Sequence, residues 1–490
     1  VIPTEEKNDA VSVAESALLD GRHCHQQFLW PAIPRHVARY RLAQAPHRCY
    51  QIREVPSMKR NTLKCVATFF LIAIFPIPAM RGDVTIRTTP DGQHTLLRNG
   101  VPYLVKGANW PTPESIAAFV KAGGNSIRTY ADEIEWMLPL AKKHRLTIMA
   151  GLHIGRERQG FDYTDQVSLD QQFERLRATI RRYKNDPEIL FWAIGNEPEM
   201  HAKNTVGLWK EVNRIARMVR EEDPSRPVIT VVAGFDERKI RELLDYCPDL
   251  DALGVNWYGP ADQWPENLKK FGWTKPYLLT EFGPMGYWYY EGEPSGIPKP
   301  TAWGAPIEQT STEKAALYAE NWQNAVVARP GQSLGGYAFV WGPKQERTQT
   351  WFSMHLFTGE RTAMVDAMQT AWTGRPPAKP APEILQWKPE RPSGEFAPGE
   401  TVNIALKWKC DRPAKVSVEI RTETTATQSG GDVEPETKIL PAISWKATAS
   451  GIEVKAPEQP GNYRIFALIT TTDHTAATAN FPVRVTQSTP

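Results

Sequence analysis

The chain has 490 residues, 41% of them hydrophobic and 23% charged, with a formal net charge of +3. That length exceeds one ordinary domain, so two or three are expected. A charge this small for the size argues against nucleic acid as the main partner, because phosphate binding needs a concentrated basic face.

No methionine precedes Met58. From there "MKRNTLKCVATFFLIAIFPIPAMRGD" reads as a secretory leader over 58–82. Lys59, Arg60 and Lys64 form a basic head, and an apolar stretch over 66–79 is broken by Pro76 and Pro78. The stretch is too short and too kinked for a membrane span. The mature chain is therefore expected to be secreted or periplasmic, without a span. Residues 1–57 are then a mis-called upstream extension; the rival reading is a disordered extension ahead of a signal-anchor. Cleavage would leave Cys247 and Cys410 of the five cysteines, in different expected domains, so no disulfide framework is expected. The "HCH" at 23–25 lacks a second cluster and is not read as a metal site. No cofactor is expected.

From Asp83 a hairpin is expected, with turns at Asp91-Gly92 and Asn99-Gly100. Short apolar strands then alternate with amphipathic helices. The strands are "YLVKGAN" (103–109), "NSIRTY" (125–130), "LTIMAGLHI" (146–154), "ILFWAIGNE" (189–197), "VITVVAG" (228–234), "ALGVNWYG" (252–259), "YLLTEFG" (277–283) and "GGYAFVWG" (335–342). Parallel strands buried on both faces read this way. The fold class expected is α/β: a (β/α)8 TIM barrel over 83–373, including the hairpin, with one long insertion after the seventh strand. A doubly wound sheet would want a glycine-rich phosphate turn after its first strand, and "KGANWPTP" is not one. Prolines 376, 377, 380 and 382 make 374–383 a stiff linker. Beyond it, over 384–490, the pattern becomes period two, as in "TVNIALKWK" and "AKVSVEIRT". A small all-β sandwich of immunoglobulin type is expected there, without the Cys…Trp…Cys hallmark.

In such a barrel, function gathers where the strands end. Those ends carry Asn109 and Trp110, Arg128 and Tyr130, His153, Asn196 and Glu197, Asn256, Trp257 and Tyr258, Glu281, and Trp341. A structural barrel rim needs neither two carboxylates nor so many aromatics. The chain's 17 Trp and 15 Tyr suit flat sugar rings, although most Trp in any fold are packing.

"GNEP" at the fourth strand and "TEFG" at the seventh resemble glycoside hydrolase clan A, the retaining (β/α)8 glycosidases of the family 2 and family 5 kind. The likeness covers about 103–373. It implies a β-glycosidase acting on a carbohydrate, with Glu197 as general acid/base and Glu281 as nucleophile. Arg128 matches the clan's strand-two arginine. Asn256-Trp257-Tyr258 resembles its strand-six motif, although several families place His at Asn256, and His153 matches only loosely. "GPKQERTQTW" (342–351) fits no family motif. No sandwich is read ahead of the barrel, so a typical family 2 β-galactosidase is not expected. "KGANW…GGNSIRTY" is also similar to the clan's glucan-remodelling transglycosylases.

Retention needs two carboxyl groups about 5–5.5 Å apart, one protonated and one ionised. Mutual repulsion raises one of them. Arg128 and Tyr258 are expected to keep Glu281 charged, and Asn196 to donate to the sugar 2-hydroxyl. Trp341 is expected as an aromatic floor. Asn256, His153, Trp110 and Trp288 complete the expected substrate contacts. The insertion's Trp288, Tyr289, Tyr290 and Trp303 are expected to wall a cleft. Lys344 to Arg347 is either a substrate contact or a surface ion-pair cluster, and Glu199 a solvated or salt-bridged bystander. Two other functions share these residues: a transglycosylase, and a non-catalytic sugar binder, which loss of either glutamate would have favoured.

Overall fold

A computed structural model of the chain describes residues 82–131, 133–288, 300–426 and 434–487. The expected extension and, Gly82 apart, the expected leader lie outside them. Strands β1 (Val84–Thr88), β2 (His94–Arg98) and β3 (Val101–Pro102) form a small antiparallel sheet. Asn99 and Gly100 both take left-handed φ, 52° and 77°, as a two-residue type I′ turn demands.

Eight strands then close a parallel barrel: β4 (Val105–Asn109), β5 (Ser126–Arg128), β6 (Thr147–Leu152), β7 (Ile189–Ile194), β8 (Val228–Ala233), β9 (Ala252–Tyr258), β10 (Tyr277–Gly283) and β11 (Ser333–Ala338). A helix follows each in turn: α1 (Ile116–Lys121), α2 (Ile134–His144), α3 (Gln166–Tyr183), α4 (Thr205–Glu222), α5 (Glu237–Tyr246), α6 (Trp264–Lys270), α7 (Ser311–Trp322) and α8 (Ala363–Thr373). Side chains cap the helices where the sequence offers oxygen. Asp165, Asn204 and Asp236 accept from the first turns of α3, α4 and α5, and Thr310 with Glu313 makes a reciprocal box on α7. Each such cap stabilises its helix by about 1 kcal/mol.

Strands β6, β7 and β10 are buried along their whole length, which is why they read as unbroken apolar runs. The barrel interior is solid. Gly107 leaves room for the Tyr337 ring, which a Cβ there would meet at 2.2 Å, and Tyr337 hydrogen-bonds Ser126 across the lumen at 2.9 Å. Val84 and Leu96 of the small sheet pack with Leu190, Ala252, Leu278 and Leu334, all near strand starts. The hairpin therefore plugs the N-terminal end of the barrel, and the opposite end is left for chemistry.

The C-terminal part is a two-sheet sandwich. One sheet orders β12 (Arg361–Thr362), β20 (Thr475–Val485), β19 (Gly461–Thr471) and β16 (Ala414–Thr422), with β14 (Glu395–Phe396) also on β20. The other orders β13 (Glu383–Pro389), β15 (Thr401–Lys409), β18 (Gly451–Lys455) and β17 (Trp445–Ala447). Strand β12 comes from the barrel side of the linker and pairs with β20. The linker is pinned as well: Ala381 N donates to Asp366 at 2.6 Å, and Arg412 donates to Pro380 O at 2.7 Å.

A buried polar joint fastens the two parts. Arg464 of β19 donates to Pro306 O at 3.0 Å and to Asn480 Oδ1 at 2.8 Å. Asn480 donates to Glu308, which also accepts from Thr348 and Thr350 and pairs with buried Lys314. Among the described residues Cys247 and Cys410 are free, no helix is long and apolar enough to cross a membrane, and no acidic, His or Cys cluster could hold a metal.

Candidate active site

The residues that end β4, β5, β7, β9 and β10 meet in one buried hydrogen-bonded group. Glu281, on β10, is 5% exposed and takes three donors. Arg128 Nη1 and the Tyr130 hydroxyl reach Oε1 at 2.8 Å each, and the Tyr258 hydroxyl reaches Oε2 at 2.6 Å. Charge-assisted bonds of this kind favour the ionised carboxylate. Burial, then the Glu281 charge, pushes both tyrosines well above their usual value, so both hydroxyls remain donors.

Glu197 stands across this group. The chain leaves β7 through Gly195 at φ 70° and Glu197 itself at φ 49°. A left-handed backbone at a residue with a Cβ costs on the order of 1–3 kcal/mol, and the surroundings must impose it. Here Glu197 N donates to Val231 O at 2.8 Å. Asn256 Nδ2 donates to Glu197 Oε1 at 2.8 Å. Burial raises the Glu197 carboxyl, and the Glu281 charge raises it further. Asn256 opposes them, Glu199 adds a small push upward, and the outcome is a value pushed up to about 8.

One amide and one guanidinium connect the two carboxyls. Asn256 Oδ1 accepts from Arg128 Nη1 at 3.2 Å and from Thr280 Oγ1 at 2.8 Å. Arg128 Nη2 and Asn256 Nδ2 both donate to Asn196 Oδ1, at 2.6 and 3.0 Å. With its carbonyl so engaged, the NH2 group is what Asn196 has left to offer as a donor. Arg128, 1% exposed, also stacks on Tyr130, its Cζ 4.4 Å from the ring centre. The arrangement sets a carboxyl bound by three donors opposite one that keeps its proton at neutral pH, with an amide beside them.

Residues 143–287 match the model of "Glycosyl hydrolases family 2, TIM barrel domain". This segment of the barrel is therefore similar to that family's barrel domain. It includes Glu197, Asn256, Tyr258 and Glu281. Among curated relatives, a β-glucuronidase of Bacteroides fragilis is 25% identical over 266 residues, which is 52% of this chain and 35% of that protein. Human β-glucuronidase is 25% identical over 282 residues, 50% of this chain and 39% of its own. The chain thus spans well under half the length of these relatives. Among solved structures, a β-D-glucuronidase of Dictyoglomus thermophilum is 19% identical, covering 60% of this chain and 54% of that one at a TM-score of 0.45. A β-galacturonidase of Eisenbergiella tayi is 18% identical, covering 60% and 55%, also at 0.45.

Around the two carboxyls, the half-buried aromatics fall into place unevenly. The Trp110 ring lies 4.9 Å from Tyr130, and Trp288 lies 5.2 Å from Tyr258, so both flank the tyrosines that hold Glu281. Trp341 is not a floor. Its side chain is fully buried against Phe119, His355 and Trp372, on the helix side of the barrel wall. Strand β11 ends at Ala338, so two-residue alternation no longer sets where Trp341 points; Phe339 is the ring that meets Trp110 and Tyr258. His153 is exposed at the end of β6, outside the buried group, with its carbonyl held by Arg175. Trp257 stacks on Trp264 toward the helices. Trp303 leans on the sandwich, donating to Ser393 O at 3.1 Å, so it does not wall the site. Tyr289 and Tyr290 lie outside the described residues.

Tyr130, Asn109 and Thr280 were legible as residues but not as roles, whereas the salt-bridged reading of Glu199 holds. Tyr130 stands two positions after Arg128, hence on the same face, and Asn109 donates to its hydroxyl. Thr280 precedes the nucleophile candidate and orients Asn256. Glu199 proves to be a buried ion pair, 2.8 Å from Lys239.

Proposed function

We propose that this protein is a retaining β-glycosidase. The observation that carries the reading is the unequal treatment of two facing carboxyls: Glu281 bound by three donors, Glu197 held protonated to about 8. Glu281 attacks the anomeric carbon as the glycosidic bond breaks, and the Glu197 proton passes to the departing oxygen. Glu197, now a carboxylate, takes a proton from water whose oxygen attacks the same carbon and releases Glu281. Asn196 NH2 is suited to the sugar 2-hydroxyl, a contact that tightens in the transition state. The family 2 segment and the curated β-glucuronidases support the same reaction class on a carbohydrate substrate.

The test is hydrolysis of a panel of aryl β-glycosides by wild type, Glu197→Ala and Glu281→Ala, followed by proton NMR. Wild type should release the β-anomer first. Added azide should rescue Glu197→Ala on activated substrates as a β-glycosyl azide. An α-anomer as first product, or undiminished rates in both variants, would overturn the assignment. Export by the leader over 58–82 belongs to the same reading, and N-terminal sequencing of protein from the periplasm or medium should begin between Ala79 and Asp83.

A further inference from the structure

The loop after β11 places a second charged pair beside the carboxyls, and the reaction proposed above has no use for it. Lys344 Nζ lies 5.6 Å from the centre of the Trp110 ring. It pairs with Glu346 Oε2 at 2.8 Å. Glu346 is 2% exposed, and its Oε1 accepts from the Tyr287 hydroxyl at 3.3 Å. The Tyr287 ring lies tilted against Trp288, 4.7 Å between centres, and Trp288 packs edge-on against Tyr258. The pair therefore spans the gap between the two aromatics that flank Glu281. Residues 342 to 353 hold it firmly, since Lys344 N donates to Ser353 Oγ at 2.8 Å and Ser353 donates back to Lys344 O at 3.0 Å.

The charges on this face come in balanced pairs. Arg128 is matched by Glu281, and Lys344 by Glu346, while Glu197 is uncharged near neutrality. We infer that Glu346 is a specificity-determining residue that masks Lys344, so that the site takes a neutral glycosyl group and rejects a uronate. This rests on the glycosidase reading. The ammonium keeps hydrogens to donate to an uncharged hydroxyl, which pays little for leaving water. A sugar carboxylate brought beside the same pair would face Glu346 and Glu281 as well as Lys344. A buried charge without a partner of its own is strongly disfavoured.

The experiment compares aryl β-glycosides that differ only at C6: glucoside with glucuronide, and galactoside with galacturonide. Wild type should favour the hydroxymethyl member of a pair by about tenfold or more in kcat/KM. Glu346→Gln keeps the shape and removes the masking charge, and should move the ratio toward the uronide by about tenfold. Lys344→Gln should move it the other way. A merely structural role would lower both members of a pair alike. Preference of wild type for uronides, or an unchanged ratio in both variants, would overturn the inference while leaving the glycosidase reading intact. If no glycoside is cleaved, that reading fails, and tryptophan fluorescence titration with glucose, galactose, glucuronate and galacturonate still decides the point. Weaker uronate binding in wild type, strengthened by Glu346→Gln, supports the inference; uronate binding equal to or tighter than neutral binding sinks it.

Discussion

Tyr258 gives its hydroxyl to Glu281 Oε2, and no other donor to that oxygen is seen among the described residues. A hydrogen bond to a charged group contributes about 1.5–3 kcal/mol. Tyr258→Phe should thus lower kcat by about 10- to 100-fold with the ring packing unchanged, as steady-state kinetics and circular dichroism would show. Glu197 makes two linked predictions. Its proton is needed by the leaving group, so kcat/KM should fall above about pH 8, and Glu197→Gln should abolish that limb along with most activity on unactivated glycosides. For stability, the ordinary value is 4.5 and the folded value about 8. Between them the native chain keeps a proton that the unfolded chain has lost, so stability declines as pH rises through that window. Urea titrations from pH 5 to 9 should show the slope in wild type and a shallower one in Glu197→Gln. At this scale the sequence disclosed which residues gather, because each ends a strand. It could not disclose that Trp341 turns outward, because the alternation that orients side chains stops with β11 at Ala338.

Among elements, the barrel was the most legible part. Parallel strands lose both faces to burial, so each appears as an apolar block, and amphipathic helical stretches alternate with them. The joint between barrel and sandwich left no such trace. Arg464 meets Pro306, and Asn480 meets Glu308, across long sequence separations that no local periodicity encodes. Its energetics are nevertheless predictable. Burial works to raise the Glu308 carboxyl, and Lys314 and Arg464 overcome it, holding the group below its usual value. Lys314→Met would leave that charge in place without its ammonium, and should cost about 3–5 kcal/mol in denaturant unfolding. Replacing Glu308 and Lys314 together by apolar residues of similar volume should cost much less, and an equal loss in both variants would argue against the pairing.

Across the whole molecule, the loop carrying Lys344 and Glu346 is shared property. One side faces the carboxyls; on the other, Arg347 N donates to Glu434 at 2.9 Å and Arg347 Nη2 lies 3.5 Å from Glu423, both in the sandwich. Barrel and sandwich should accordingly unfold in one calorimetric transition, and a chain ended after Gly374 should lose both solubility and activity. Two separable transitions would contradict this. The proline-rich stretch, which reads as a spacer, is instead bonded on both sides. That has a consequence for descent. A recombination breakpoint there would look harmless in the gene, falling between two recognisable modules. In the protein it would carry off the residues that brace one wall of the reaction centre, so this barrel and this sandwich are expected to have been inherited together, never exchanged as interchangeable parts.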